Sequence, residues 1–352
     1  MTARVREGWP DVAKGICIVL VVLWHVVTKH MIDMPGASGV TGFWATLNAQ
    51  LLPLRMPLFF LVSGMFAGRA VTAIDGTSWR RRAARLAAMY VVWVLIQTLA
   101  LALAPDFDTA RAKDAGELLA QLTISPTNLW YLLALAAYLL VARLSRDVPT
   151  SVVLPVAFVV SAVAASGLLP DLGNLWQVVQ NLFFFVAGLR LRGMIESLAA
   201  HASPLRMFML AAAYACCAAV VGILGMRQWP GVWPLLSVTA VVFGVTACAV
   251  LDRRVEWLAG PLRWVGRRTL PIYVIHMIPL ALIDGALRGA SIRTSPLIEA
   301  VEPLLLTVLV IAICLAAHTV LVRCGLGVLF DPLLLSERLR RRHARAGRLP
   351  SR

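Results

Sequence analysis

The chain has 352 residues, of which 60% are hydrophobic and 14% charged, and its formal net charge is +15. Its mean hydropathy is +0.80, whereas a soluble domain is about 45–50% apolar and about one quarter charged. These values exclude an ordinary soluble enzyme, a disordered protein and a nucleic-acid-binding domain. They leave room for roughly ten membrane-spanning helices joined by short loops.

Ten apolar runs follow one another along the chain, and in lipid a helix is the only sensible structure for each of them. We therefore predict an all-α polytopic membrane protein with about ten transmembrane helices. The second run contains Pro53, Arg55 and Pro57, and the sixth is short. The predicted spans are 12–30, 50–68, 86–104, 127–142, 151–169, 175–189, 205–225, 232–251, 269–287 and 303–322.

The basic residues predict how these helices are oriented. With a cytoplasmic N-terminus, 26 of the 33 Lys and Arg residues fall inside and 6 outside, and Arg55 lies within a span. Cytoplasmic loops of membrane proteins carry such an excess of basic residues. We therefore predict that both termini are cytoplasmic. Residues 1–335 form the transmembrane domain, and 336–352 form a basic tail along the anionic inner surface of the membrane.

Ionisable side chains within a span are informative, because each costs about 2.5–3.5 kcal/mol or more at the bilayer centre. Lys14 and His25 lie on the first predicted span, about 16 Å apart along a helix and close to three turns. Arg55 lies near the outer start of the second span, at a depth similar to that of His25. The spacing predicts that His25 and Arg55 share a site. A hydrogen-bonded histidine and a snorkelling arginine are the structural alternatives.

A cluster of arginines precedes the third predicted span, at its inner mouth. Arg82 and Arg85 are three residues apart and can share one helix face. Arginine makes bidentate contacts with phosphate groups, so this pair is a candidate phosphate site. Anchoring of the inner membrane surface by positive charge is the alternative.

Later spans carry further polar side chains that are candidates for substrate binding. Asn128 and Trp130 open the fourth predicted span at its outer side. Tyr273 and His276 lie three residues apart on the ninth span and therefore face the same way. Hydrogen bonding between helices is an equally good explanation for each of them. A polar face on the sixth span is formed by Gln177, Gln180 and Asn181.

Five segments of the sequence carry a resemblance to a known family. The first span reads WPDVAKGICIVLVVLWH and the second RMPLFFLVSGMFAGR, followed by SWRRRAARL; NLWYLLAL and PIYVIHMIPL come later. Their order and placement resemble the membrane acyltransferase-3 family, most closely its branch of sugar O-acetylases similar to fucose 4-O-acetylase. The specific motifs are a basic residue and a histidine separated by ten residues, then PLFF-x-x-SG. Lys14 stands where the family often has Arg.

The resemblance covers essentially the whole chain and implies an inner-membrane enzyme with ten helices. Such an enzyme transfers an acyl group, acetyl above all, from cytoplasmic acyl-CoA to a hydroxyl of an extracytoplasmic glycan or lipid-linked sugar. Acyl-CoA is then a donor substrate, and no permanently bound cofactor or metal is implied. The residues that the resemblance assigns are His25 with its basic companion Lys14, Arg55 and Ser63 of the second-helix motif, and the inner pair Arg82 and Arg85.

The mechanism predicted from these residues is direct transfer with His25 as general base. The imidazole takes the proton of the acceptor hydroxyl while that oxygen attacks the thioester carbonyl. Arg55 stabilises the developing oxyanion or fixes the acceptor. An acyl-histidine intermediate stays open as a variant. Acceptor binding is assigned to Ser63, Asn128, Trp130, Tyr273 and His276.

Two other classes of protein are compatible with the same composition. A transporter or flippase for a glycoconjugate also needs about ten spans and buried polar groups. A polytopic protein with only a binding or scaffold role is the simplest alternative. The sequence identifies neither the acceptor nor the oligomeric state.

Overall fold

The computed structural model describes residues 7–31, 39–73, 77–109, 111–168, 173–288 and 296–333. Within these ranges every regular element is a helix and no strand is present, so the predicted all-α class is confirmed for them. The predicted basic tail, 336–352, lies outside the described residues.

Sixteen α-helices make up the described part of the chain. A π-helical segment, Val27–Met31, continues the first of them without a break. The helices are α1 (Trp9–Val26), α2 (Gly39–Met65), α3 (Gly68–Thr72), α4 (Thr77–Ala100), α5 (Ala115–Thr123), α6 (Trp130–Leu144), α7 (Thr150–Ala165), α8 (Asn174–Gln180), α9 (Leu182–Arg190), α10 (Arg192–Ala200), α11 (Pro204–Ile223), α12 (Val232–Arg254), α13 (Glu256–Gly266), α14 (Thr269–Ile275), α15 (Met277–Arg288) and α16 (Pro296–Arg323).

Six to eight candidate membrane spans are present in the described ranges. Six helices are long and apolar enough alone: α1 with its π segment, α2, α4, α11, α12 and α16. Two bent pairs raise the number to eight: α8 and α9 with α10, bent by 78°, and α14 with α15, bent by 46°. The apolar helices α6 and α7 have only 15 and 16 residues, fewer than the about 20 that a full crossing needs. Each of the ten predicted runs therefore contains helix, but not every run meets the length of a span.

The surface of α11 shows what surrounds the bundle. Only Tyr214 and Ala218 of this helix are buried, whereas Phe208 is 66% exposed and Ile223 is 83% exposed. A helix that is apolar on all sides but covered on only one is stable where lipid covers the rest. The protein is accordingly a multi-pass membrane protein.

The helices α1, α2 and α12 form the centre of the bundle and pack against one another. A close crossing joins α2 to α9. A Cβ atom at Gly64 would lie 2.1 Å from the carbonyl oxygen of Phe185, and one at Gly188 would lie 1.9 Å from that of Leu61. Glycines at such a crossing let two helix backbones touch. Gly64 of the SG motif therefore serves the packing of α2 on α9.

A second close crossing joins α1 to α13. A Cβ atom at Gly15 would lie 2.2 Å from the carbonyl oxygen of Leu262, and one at Gly266 would lie 1.8 Å from that of Asp11. The short helix α13 thus lies directly on the backbone of the first half of α1. Together the two crossings fix α1 and α2, the helices that carry the predicted catalytic residues.

We predict that Gly64→Ala destabilises the protein, because its methyl group meets a backbone oxygen that cannot move aside. Overpacking of this kind costs about 1–3 kcal/mol, and the midpoint of thermal unfolding in detergent should fall. Gly222→Ala is the matched control, since nothing lies within 4 Å of a Cβ atom there. It should leave the midpoint unchanged or raise it. Equal midpoints for the two variants would contradict the crossing.

Candidate functional site

A cavity of about 590 Å³ lies beside the C-terminal half of α1. Its lining comes from α1 with its π segment, α2, α6, α8, α12, α14 and α15. Thr109 and Asn128, in the segments that precede α5 and α6, complete it. Three tryptophans, Trp24, Trp130 and Trp233, form apolar walls. The polar lining consists of His25, Thr28, Lys29, Arg55, Thr109, Asn128, Asn174, Gln177, Gln180 and Tyr273.

Helical periodicity explains which face of α1 meets the cavity. Val21, Trp24, His25 and Thr28 occupy positions i, i+3, i+4 and i+7, which lie on one side of an α-helix. The π segment then adds Lys29 to the same wall. A π turn within an α-helix is frequently found at functional sites.

His25 in the cavity wall packs against a second imidazole, that of His276, which does not itself line the cavity. The ring centroids of His25 and His276 are 5.0 Å apart. His276 donates from Nδ1 to the carbonyl oxygen of Tyr273 at 2.8 Å, which leaves its Nε2 as the acceptor. That Nε2 and the Nδ1 of His25 are buried without a hydrogen-bond partner in the described part of the protein. Of the two rings, that of His25 reaches the cavity, and that of His276 supports it from the protein interior.

Arg55 lines the same cavity and is only 3% exposed. Its guanidinium carbon lies 4.5 Å from the centroid of the Trp24 ring, a cation–π contact. Its Nη1 donates to the carbonyl oxygen of Leu20 at 3.5 Å. No carboxylate of the described residues forms a salt bridge with it. His25 and Arg55 thus line one cavity, as the spacing predicted, and their catalytic roles stay predictions.

Asn128, Trp130 and Tyr273 also line the cavity. Both polar atoms of the Asn128 side chain are buried and find no partner among the described residues. The Tyr273 hydroxyl donates to the Asn128 carbonyl oxygen at 2.6 Å and accepts from the backbone N–H of Tyr131 at 3.1 Å. These bonds hold the start of α6, next to Asn128, against α14.

Ser63 and Lys14 do not line this cavity. The Ser63 hydroxyl donates to the Phe59 carbonyl oxygen at 2.8 Å and lies 2.7 Å from the hydroxyl oxygen of Tyr131. Lys14 lies near the N-terminal end of α1, where its Nζ is 2.7 Å from a carboxylate oxygen of Asp11. The distance of nearly three turns along α1 separates Lys14 from His25.

Arg82 and Arg85 do not line the cavity, and Arg82 shares a neighbour, Phe66, with Lys14. Arg82 donates from Nη1 to the carbonyl oxygen of Phe66 at 3.2 Å, and the Lys14 Nζ lies 5.3 Å from the centroid of the Phe66 ring. Arg85 forms an ion pair with Asp331, with a distance of 3.0 Å between Nε and Oδ1. Phe66 therefore connects the basic residue of the first motif with the arginine cluster.

The sequence pattern did not point to His30, which is fully buried between two carboxylates. Its Nδ1 lies 2.8 Å from Oδ1 of Asp284 in α15, and its Nε2 lies 3.1 Å from Oε1 of Glu302 in α16. The cluster ties the π segment to two distant helices. The sequence feature that could have indicated this cluster was Asp284, an acidic residue inside the ninth predicted span. No group of His, Cys, Asp and Glu in the described ranges is arranged to hold a metal ion.

The chain is similar to known proteins over most of its length. Residues 7–320 match the family described as an acyltransferase domain. The inner membrane protein YcfT of Escherichia coli (strain K12) is 27% identical over 324 residues, which cover 84% of this chain and 86% of that protein. No solved structure matches the chain significantly.

Proposed function

The chain belongs to the acyltransferase domain family, and we propose that it is an O-acyltransferase of the inner membrane. It moves an acyl group, acetyl first among the candidates, from cytoplasmic acyl-CoA to a hydroxyl of an extracytoplasmic glycan or lipid-linked sugar. The relative in Escherichia coli, an inner membrane protein, supports this location. A sugar O-acetylase is the branch that the motifs favour.

The observation that carries the proposal is the position of His25 in the wall of the cavity. A volume of about 590 Å³ falls within the range of small-molecule sites. Its three tryptophans suit the apolar faces of a sugar ring, and its amides suit the hydroxyl groups. A general base needs a nitrogen within reach of the acceptor hydroxyl, and imidazole is suited to this at neutral pH.

In the proposed reaction the acceptor oxygen forms a bond to the thioester carbonyl carbon while His25 takes the hydroxyl proton. The bond between this carbon and sulfur then breaks, and the imidazolium returns the proton to the leaving CoA thiolate. Arg55, which is buried and has no carboxylate partner among the described residues, stabilises the negative charge on the carbonyl oxygen or fixes the acceptor. Attack by His25 itself, through an acyl-histidine, is the two-step variant of the same site.

We predict that His25→Ala lowers the turnover of acyl transfer by about 10²–10⁴, the usual loss of general-base catalysis. Expression and acyl-CoA binding should persist. His276→Ala should be milder if that ring only positions substrate. His201→Ala is the matched control, because His201 is an exposed histidine at the end of α10. Near-normal transfer by His25→Ala at matched protein levels would contradict the mechanism.

The donor site proposed for the cytoplasmic side contains Arg82 and Arg85, with Lys14 nearby. We predict that Arg82→Gln combined with Arg85→Gln raises the apparent KM for acyl-CoA about tenfold or more, because charge-assisted phosphate contacts are lost. Arg80→Gln combined with Arg81→Gln removes the same charge and should leave this KM nearly unchanged. If both double variants have the same apparent KM for acyl-CoA, the arginine cluster serves only to orient the protein in the membrane.

The proposed topology has ten crossings and both termini in the cytoplasm, with α6 and α7 as the short ones. Reporter fusions at Thr41, Asp114 and Gly347 test it, although Gly347 lies outside the described residues. We expect an external signal from Thr41 and Asp114 and a cytoplasmic one from Gly347. A signal from opposite sides at Thr41 and Asp114, or an external signal from Gly347, would exclude this arrangement.

A further inference from the structure

The charged residues in the cavity wall are all of one sign. Lys29 and Arg55 contribute two cations, and no Asp or Glu of the described residues is part of the lining. Hydroxyl and amide groups provide the rest of its polar surface. The electrostatic potential of such a cavity favours a ligand that carries negative charge.

Arg55 makes this imbalance costly in the absence of a ligand. The side chain is 3% exposed, and its contacts are an indole face and one backbone carbonyl oxygen. A buried charge is expensive unless it is paired. The Coulomb field of Arg55 reaches the cavity that it lines, so an anionic ligand lowers this cost.

Lys29 is a partly exposed residue of the cavity wall, and a ligand can replace the carboxylate with which it is paired. Its Nζ forms an ion pair with Asp108, and Thr109 next to Asp108 lines the cavity. The Asp108 side chain is 70% exposed and that of Lys29 is 27% exposed. An ion pair this exposed contributes only about 0–1 kcal/mol. A ligand anion inside the cavity can therefore take the place of Asp108 at little cost.

The donor does not account for this feature. Lys29 is fifteen residues from Lys14 on one continuous helix, about 22 Å along its axis. The phosphates of acyl-CoA are proposed to bind beside Lys14, Arg82 and Arg85. A ligand anion that pairs with Lys29 would therefore belong to the second substrate, not to the donor.

We propose that the acceptor is itself anionic, with a carboxylate or phosphate group that Lys29 binds in place of Asp108. That this ligand is the acceptor rests on the proposed function, whereas anion binding at Lys29 does not depend on acyl transfer. Binding to the purified full-length protein in detergent tests it through the shift in thermal unfolding. The probes are glucose, glucuronate and glucose 1-phosphate, with sodium chloride added to equal ionic strength.

At least one anionic sugar should stabilise the protein at a concentration about tenfold or more below that needed for glucose, since hydrogen bonds to charged groups are the stronger ones. The stronger of the two anions distinguishes a carboxylate sugar from a sugar phosphate. Lys29→Gln should abolish the preference. Lys113→Gln, an exposed lysine of the same outer segment, should retain it. Asp108→Asn should strengthen anion binding by up to about fivefold, because the competing carboxylate is gone.

The proposal is overturned if neither anion stabilises the wild-type protein beyond glucose, or if Lys29→Gln keeps the preference. These outcomes leave the acyltransferase proposal intact, because a neutral acceptor would still be consistent with it. Conversely, anion binding in a protein that transfers no acyl group would contradict the acyltransferase proposal and support the anion site.

Discussion

The geometry of the site depends on two helix crossings at which no side chain fits. Gly15 and Gly266 bring the backbones of α1 and α13 into contact, and Gly64 and Gly188 do the same for α2 and α9. Because backbone atoms cannot rotate away as side chains do, these contacts fix α1 and α2 in rotation as well as in position. That rotation directs His25 and Arg55 into one cavity. The close packing of α2 on α9 therefore explains the glycine of the SG motif.

The cavity combines His25, the proposed general base, with a positive charge on Arg55 that the described residues do not neutralise. Acyl transfer develops negative charge on the thioester oxygen, and preorganised cations stabilise such charge best where water is excluded. Arg55, which contacts Leu20 and Trp24 just before His25 on α1, satisfies this condition. Lys14, Arg82 and Arg85 lie outside the cavity. The separation of the two basic regions agrees with a donor and an acceptor that approach from opposite ends of α1.

Much of the site could be predicted, because helical periodicity and depth within a span are local properties of the sequence. They placed His25 and Arg55 at a similar depth, and the structure has both in one cavity. Tyr273 lines the same cavity, which its place near the start of the ninth predicted span did not indicate. Contacts between distant segments were not predictable in this way. His30 meets Asp284 and Glu302 across 254 and 272 residues of chain, and no periodicity connects them. The bends of 78° and 46° likewise depend on packing rather than composition.

The most direct test is to measure from which side of the membrane the protein uses acyl-CoA. Sealed inside-out and right-side-out vesicles from cells that express the protein would receive radiolabelled acetyl-CoA, with His25→Ala vesicles as the background. We expect label in the endogenous glycan of inside-out vesicles, in which the cytoplasmic face is accessible, and background label in right-side-out vesicles. Equal labelling of both, or labelling of right-side-out vesicles alone, would contradict transfer from a cytoplasmic donor through the site at His25.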